Sequence, residues 1–373
     1  MSEYKHTMDE LRQWQALPLS IKLRMTQERI RMWVREFGEN DVFVSFSGGK
    51  DSTVLLDIVR KMYPSIKALF VNTGLEYPEI QRFVKDRENV EIVAPKMNVR
   101  EVVMKYGYPI ISKEISSRMW SARKLKPTEG VYHSREAFLG AGRYVKGSQY
   151  NQEKYLPVAQ EIPALISSNC CQVSKKSPAK RWQHENNASS PILATMAEES
   201  MLRTKGWMVT GCNNYEGEKK KSQPMSFWTE QDVLKYIVMN DLPICSVYGD
   251  IVTKDQDGLE YPANKMTIDC GRLECTGCKR TGCIFCGYGF HLDKGKTRFQ
   301  RLAETHPRQY EFALCGGEWA DNPFYDETAP KYDGDWKNWN QKKIWVPNQE
   351  GLGMRKVFEM VNEIMGKDFY RYE

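Results

Sequence analysis

Residues 41–58 compress a strand, a glycine turn and a helix start into about the shortest space that allows them. Asp41-Val42-Phe43-Val44 runs into Ser45-Phe46-Ser47-Gly48-Gly49-Lys50-Asp51-Ser52-Thr53, and Val54-Leu55-Leu56-Asp57-Ile58 follows. Val42, Phe43 and Val44 are β-branched or aromatic and suit a buried strand. Gly48 and Gly49 permit backbone torsions closed to other residues and let the chain approach a ligand closely. A helix beginning near Asp51 aims its unpaired N–H groups and the positive end of its dipole at the loop. Lys50 adds a full positive charge, and Ser47 and Ser52 bring hydroxyls that can bond to phosphate oxygens. The segment is predicted to be a phosphate site.

The rest of the chain supplies a sheet for such a site. Strands are predicted over Lys67–Val71, Glu91–Ala94 and Trp207–Thr210. Helices are predicted over 20–37, from about Glu79, over Val99–Tyr106 and over Thr229–Met239. This alternation predicts an α/β fold with a doubly wound, mostly parallel sheet. In such sheets ligands bind beyond the carboxyl ends of strands. The loop at 45–53 and the turn at Asn72–Tyr77 both fall at such ends, so one pocket can receive both. The expected organisation is N-terminal helices over 1–38, a nucleotide-binding domain over 39–250 with an insertion or long loop at 124–160, a Cys-rich metal-binding region over 251–315, and a tail over 316–373 with a closing helix.

Composition narrows the class. Charged residues are 27% and hydrophobic residues 41%, as in soluble globular proteins. No apolar run approaches the roughly 18–20 residues that span a bilayer, so no membrane partner is expected. The start, Met1-Ser2-Glu3-Tyr4-Lys5-His6, lacks the apolar core of a signal peptide, and a cytoplasmic location is expected. The net charge of +6 permits an anionic substrate or a nucleic acid without indicating either.

Ten cysteines in such a chain are expected to be reduced thiols. Cys170 and Cys171 are adjacent, and Cys270, Cys275, Cys278, Cys283 and Cys286 crowd one segment. The pairs Cys275/Cys278 and Cys283/Cys286 each read C-x-x-C, a spacing that lets two sulfurs converge on one metal. A [4Fe–4S] cluster takes four thiolates, and a structural Zn²⁺ takes four in a tetrahedron. Unligated thiols are the third outcome. Cys275, Cys278, Cys283 and Cys286 would form one closed set.

The phosphate loop is not a Walker A motif, which requires G-x-x-x-x-G-K-[ST]. Its lysine directly follows the paired glycines, and an aspartate follows the lysine. The string resembles the PP-loop of ATP pyrophosphatases and of the phosphoadenosine phosphosulfate (PAPS) reductase family, within the HUP-like adenine nucleotide alpha hydrolases. Other segments match that family in order over roughly residues 40–290. They are Asn72-Thr73-Gly74-Leu75-Glu76-Tyr77, Tyr108-Pro109-Ile110-Ile111-Ser112-Lys113-Glu114, Cys170-Cys171 with Lys175-Lys176-Ser177-Pro178, Ala197-Glu198-Glu199-Ser200 with Arg203, and Pro224, Trp228, Asp232-Val233 and Tyr236-Ile237, continued by Pro243 and Tyr248.

The resemblance implies cleavage of ATP or an adenosine phosphosulfate nucleotide at its α-phosphate, with Mg²⁺ offsetting the leaving group's charge. It implies catalytic roles for Lys50, Asp51 and Arg203. It implies nucleotide contacts from Ser45, Ser47, Gly48, Gly49, Lys50, Asp51, Ser52, Thr73, Gly74, Glu76, Lys113 and Glu199. Arg203 can grip phosphate or sulfate with two N–H groups, or it can simply pair with Glu198 or Glu199. The family's iron–sulfur members imply a [4Fe–4S] cluster on Cys170, Cys171, Cys283 and Cys286, leaving Cys275 and Cys278 for sulfur carriage or a second metal. The reductases also carry a C-terminal Glu-Cys-Gly-[Ile/Leu]-His segment that is missing here, where Cys315-Gly316-Gly317-Glu318-Trp319 comes nearest.

Three functions follow from these readings. The first is AMP-forming activation of an acceptor, a nucleic acid being permitted, coupled to sulfur transfer with a sulfur or electron donor protein. The second is reduction of a phosphosulfate. The third is a nucleotide- or nucleic-acid-binding module with structural zinc.

Overall fold

A computed structural model of the chain describes residues 4–126, 128–217 and 220–373. Its contacts divide into two compact units, each assembled from separated stretches. The first holds Met1–Asn72, Glu76–Ala94 and Pro178–Gly282; the second holds Thr73–Leu75, Pro95–Ser177 and Cys283–Glu373.

In chain order the first seven strands are β1 Val42–Ser45, β2 Lys67–Val71, β3 Val90–Val93, β4 Ile110–Ile111, β5 Ser190–Leu193, β6 Asn213–Asn214 and β7 Lys221–Ser222. All but β4 form one sheet in the first unit, in the order β3-β2-β1-β5-β7-β6. Every pairing in it is parallel except β6 with β7. This is the mostly parallel α/β sheet that the strand–helix alternation predicts. Val42, Phe43 and Val44 are all buried, as a central parallel strand covered on both faces requires. Phe43 and Leu69 pack with Trp182 and Ala188. The phosphate loop therefore leaves the carboxyl end of a central strand.

The helix Leu19–Phe37 buries Ile30 and Trp33, and Trp33 Nε1 donates to Ser190 O of β5 at 3.2 Å. Further along the chain, the helix Glu230–Met239 starts from a capping box between Thr229 and Asp232. Trp207–Thr210 is the end of a helix, Met201–Thr210, and not a strand. Ser200 caps it, and its buried residues Thr204 and Trp207 are three apart, the helical spacing. A short apolar run cannot distinguish the two periods.

In the second unit, β4 pairs in parallel with Gly287–Tyr288. Gly287 is needed there, because a Cβ would stand 2.4 Å from Pro109 O. Residues 124–160, expected as an insertion or long loop, hold the helices Glu129–Leu139 and Leu156–Glu161. Arg123 anchors the second of these. Its buried guanidinium donates to the carbonyls of Val158, Ala159, Ile162 and Ala164 at 2.7–3.3 Å and lies over Trp339. Carbonyls at a helix end that would otherwise lack donors are thus satisfied. The helix Met354–Met365 closes the chain and packs Phe358 against Phe290, Phe299 and Tyr370. Among the described residues no helix is long and apolar enough to cross a membrane.

Candidate functional site

Lys50 is the first residue of the helix Lys50–Met62, and Gly49 is its cap. The loop before it is braced by its own hydroxyls. Ser47 N donates to Ser52 Oγ at 3.2 Å, Gly49 N to Ser47 Oγ at 3.3 Å, and Ser52 Oγ to Gly49 O at 2.9 Å. Gly48 has φ +71°, and a Cβ on it would meet methyls of Ile80 and Val84 at 2.8 Å. Its part is to turn the loop tightly against the helix Pro78–Lys85.

This loop forms one wall of a cavity of about 320 Å³. Ser45, Ser47, Gly49, Lys50, Asp51 and Ser52 line it, together with Glu199 and Arg203. Thus eight of the residues expected at a nucleotide line one cavity, all from the first unit. Gly48 is absent from the lining. Glu76 is buried in the same unit and is also absent from it. Thr73, Gly74 and Lys113 belong to the second unit. The lysine run 219–221 begins outside the described residues.

The cavity also takes Glu198, Glu230, Tyr248, Arg280 and Thr281. Glu230 directly follows a helix cap, and Arg280 and Thr281 fall between Cys278 and Cys283. Their local sequence offers no signal for a nucleotide, because distant chain segments bring them to the loop.

Charge in the cavity is balanced by pairs. Lys50 Nζ lies 3.3 Å from Asp51 Oδ1 and 3.3 Å from Glu230 Oε1. Burial alone would lower the Lys50 pKa, but the two carboxylates outweigh it and raise it. Burial pushes the Asp51 carboxyl up, with Lys50 opposing. Asp51 Oδ1 is buried at ion-pair distance from Lys50 yet receives no hydrogen bond. Arg203 pairs with Glu199. Burial likewise raises Glu198, whose carboxylate accepts the Glu230 N–H at 2.5 Å. Among the described residues, four carboxylates and three cationic side chains therefore face one small cavity. A polyphosphate entering it would need further positive charge. The undonated Asp51 oxygen has the chemistry of a Mg²⁺ ligand.

The cysteines are split between the units. Cys275 and Cys278 belong to the first, and Cys170, Cys171, Cys283 and Cys286 to the second. Cys275 feels Lys50, Glu230 and Asp51, and burial pushes its thiol up to about 11. In the second unit Cys170 and Cys171 share a hydrogen bond that raises Cys170 and lowers Cys171 to about 6. Lys113, Lys175 and Lys176 also favour the Cys171 thiolate. Cys283 and Cys286 act on Cys170 electrostatically. A π-helical turn, Gln172–Lys176, follows the pair, a form frequent at functional sites. Four thiols of one unit fit a four-thiolate cluster in donor chemistry. Among the described residues, however, no three His, Cys, Asp or Glu are already set at metal-holding spacing.

The family model of the phosphoadenosine phosphosulfate reductase domain matches residues 41–287, more than half of the chain. The chain belongs to the PAPS reductase domain family. It is an enzyme of that family. A curated relative, sulfate adenylyltransferase subunit 2 of Alkalilimnicola ehrlichii, is 24% identical over 73% of this chain and 82% of its own length. Adenosine 5′-phosphosulfate reductase of Staphylococcus epidermidis is 30% identical over 31% of this chain and 49% of its own length. A PAPS reductase structure from Candida auris covers 70% of this chain and 97% of its own, at 14% identity and a TM-score of 0.36.

Proposed function

We propose that this PAPS reductase-family protein binds ATP and cleaves it at the α-phosphate, activating an acceptor as its adenylate for sulfur transfer. The observation that carries the reading is the single cavity holding Lys50, Asp51, Ser47, Ser52 and Arg203. An acceptor oxygen attacks the α-phosphorus, and the bond to the bridging oxygen breaks. Pyrophosphate then leaves with the electron pair. Lys50 and the loop's hydroxyls hold its oxygens, and Arg203 can turn from Glu199 toward the charge that develops. Asp51 would hold Mg²⁺, which supplies charge neutralisation to the leaving group. Cys170, Cys171, Cys283 and Cys286 would hold a [4Fe–4S] cluster, which supplies electron or sulfur handling. A sulfur nucleophile from a donor protein then displaces AMP from the acceptor.

Isotope exchange between pyrophosphate and ATP tests the adenylation step. Wild-type protein with its acceptor should catalyse exchange, and Lys50→Ala should lose roughly 10- to 100-fold of it, the range expected for a charge-assisted contact. No exchange with any acceptor tried, tRNA and DNA included, would exclude adenylation.

A second reading, reduction of adenosine phosphosulfate, draws support from the Staphylococcus epidermidis relative. It needs a reachable thiol, and Cys315 is exposed. Sulfite release that survives Cys315→Ser would rule out Cys315 as the nucleophile.

A further inference from the structure

Among the described residues three cationic side chains line the proposed nucleotide cavity, and two are already neutralised. Lys50 is paired with Asp51 and Glu230, and Arg203 with Glu199. Arg280 lines the same cavity, is exposed, and makes no ion pair among the described residues.

Its backbone is nonetheless fixed to the phosphate loop. Thr281 Oγ1 lies 2.7 Å from Tyr248 Oη, and Tyr248 Oη accepts the Lys50 N–H at 3.1 Å. On the other side of Arg280, Lys279 O accepts from Lys50 Nζ at 3.5 Å. Tyr248 is 2% exposed, so the anchor is buried. Residues 279–281 thus form a strap tied to the loop at its base, with a guanidinium that makes no ion pair among the described residues.

The anchor also alters the anion cradle. The first N–H of a helix ordinarily meets a bound phosphate. Here Tyr248 takes it. The cradle is short of one donor at the point where a phosphate tail meets four carboxylates. Arg280 can restore that donor with a planar fork suited to phosphate or sulfate.

We propose that Arg280 recognises the terminal anionic group of an adenine nucleotide's phosphate tail, with Tyr248 and Thr281 as positioning residues. This rests on the nucleotide reading above and adds the residue that tells a tailed nucleotide from AMP.

Titration calorimetry of the full chain in magnesium buffer, with ATP, adenosine 5′-phosphosulfate and AMP, tests it. Arg280→Ala should weaken at least one tailed nucleotide by about tenfold or more and leave AMP within about twofold. Arg280→Lys should restore part of the loss. Tyr248→Phe and Thr281→Val should lower the same tailed-to-AMP ratio less, with melting curves confirming that both fold. A loss confined to ATP identifies a polyphosphate terminus, and one confined to the phosphosulfate identifies a sulfate; either supports the assignment. Equal loss on AMP, or no loss on either tailed ligand, overturns it and leaves the nucleotide reading intact. An unchanged ratio in Tyr248→Phe and Thr281→Val overturns the positioning role. A wild-type protein that binds none of the three overturns both.

Discussion

Lys22 Nζ and Asp232 Oδ2 form an ion pair of 2.6 Å with both side chains almost wholly removed from water. The pair joins the helix Leu19–Phe37 to the cap of the helix Glu230–Met239. Asp232 also accepts from Thr229 N and Thr229 Oγ1, at 2.7 and 2.8 Å. Every acceptor bond in this group helps to place Glu230, two residues earlier, beside Lys50. Losing the cation would leave a buried carboxylate without its counter-charge. Lys22→Met should therefore destabilise the protein by about 3–5 kcal/mol, as for other broken buried pairs. Urea unfolding measures this; a loss below about 1 kcal/mol would mean that water reaches the site.

Gly48 carries a conformational load at the phosphate loop. Its φ of +71° strains any residue with a Cβ, and Ile80 and Val84 already occupy the space. Gly48→Ala should cost about 1–2 kcal/mol for the left-handed torsion and about 1–3 kcal/mol for overpacking. Nucleotide binding should fall in parallel, because the loop must shift away from the helix Pro78–Lys85. Thermal melts with and without ATP check both. An alanine variant as stable as wild type would show that the loop turns by another route.

Four of the second unit's cysteines, Cys170, Cys171, Cys283 and Cys286, are the proposed cluster ligands. Serine at Cys170, Cys171, Cys283 or Cys286 should cost most of the iron and acid-labile sulfide of protein purified without air. Serine at Cys275 and Cys278 should leave both in place. Visible absorption and metal analysis decide. Loss in the Cys275/Cys278 variant, or zinc without sulfide in the wild type, would reject this ligand assignment.

Asp293 predicts a pH dependence. Burial alone would raise its carboxyl, but the bonds from Arg298 outweigh burial and hold it low. The unfolded chain then binds the proton more tightly than the folded one, so stability rises with pH across that window. The contribution is present above the ordinary carboxylate value of about 3.9 and is lost as pH falls through the folded value. Asp293→Asn should cost about 1–3 kcal/mol at neutral pH, as for hydrogen bonds to a charged group. The gap from wild type should close under acid. A gap constant from pH 7 down to pH 2 would show that the charge of Asp293 is not what stabilises the fold.

Much of the cavity was legible because its parts are local. The residues of a strand end, a turn and a helix start are neighbours in the chain, so 45–53 announces its own geometry. Glu199 ends the turn Ala197–Glu199 and Arg203 lies in the first turn of the helix Met201–Thr210, so their pairing bridges the extended cap Ser200 over a short stretch of chain. Trp207–Thr210 misled because four residues cannot display a period. Arg280 and Thr281 escaped notice because they sit among cysteines, where nothing local points to phosphate.

By itself the amino-acid sequence determined the parallel α/β sheet, the strand–glycine turn–helix loop at its centre and the family. Each of these is written in short-range patterns of burial and turn chemistry. Only the tertiary structure decided that Glu230, Tyr248, Arg280 and Thr281 join the loop, and that the cysteines divide between two units. Those are contacts between distant segments. They are set by how the sheet, its helices and the buried Lys22–Asp232 pair pack together, which no local spacing encodes.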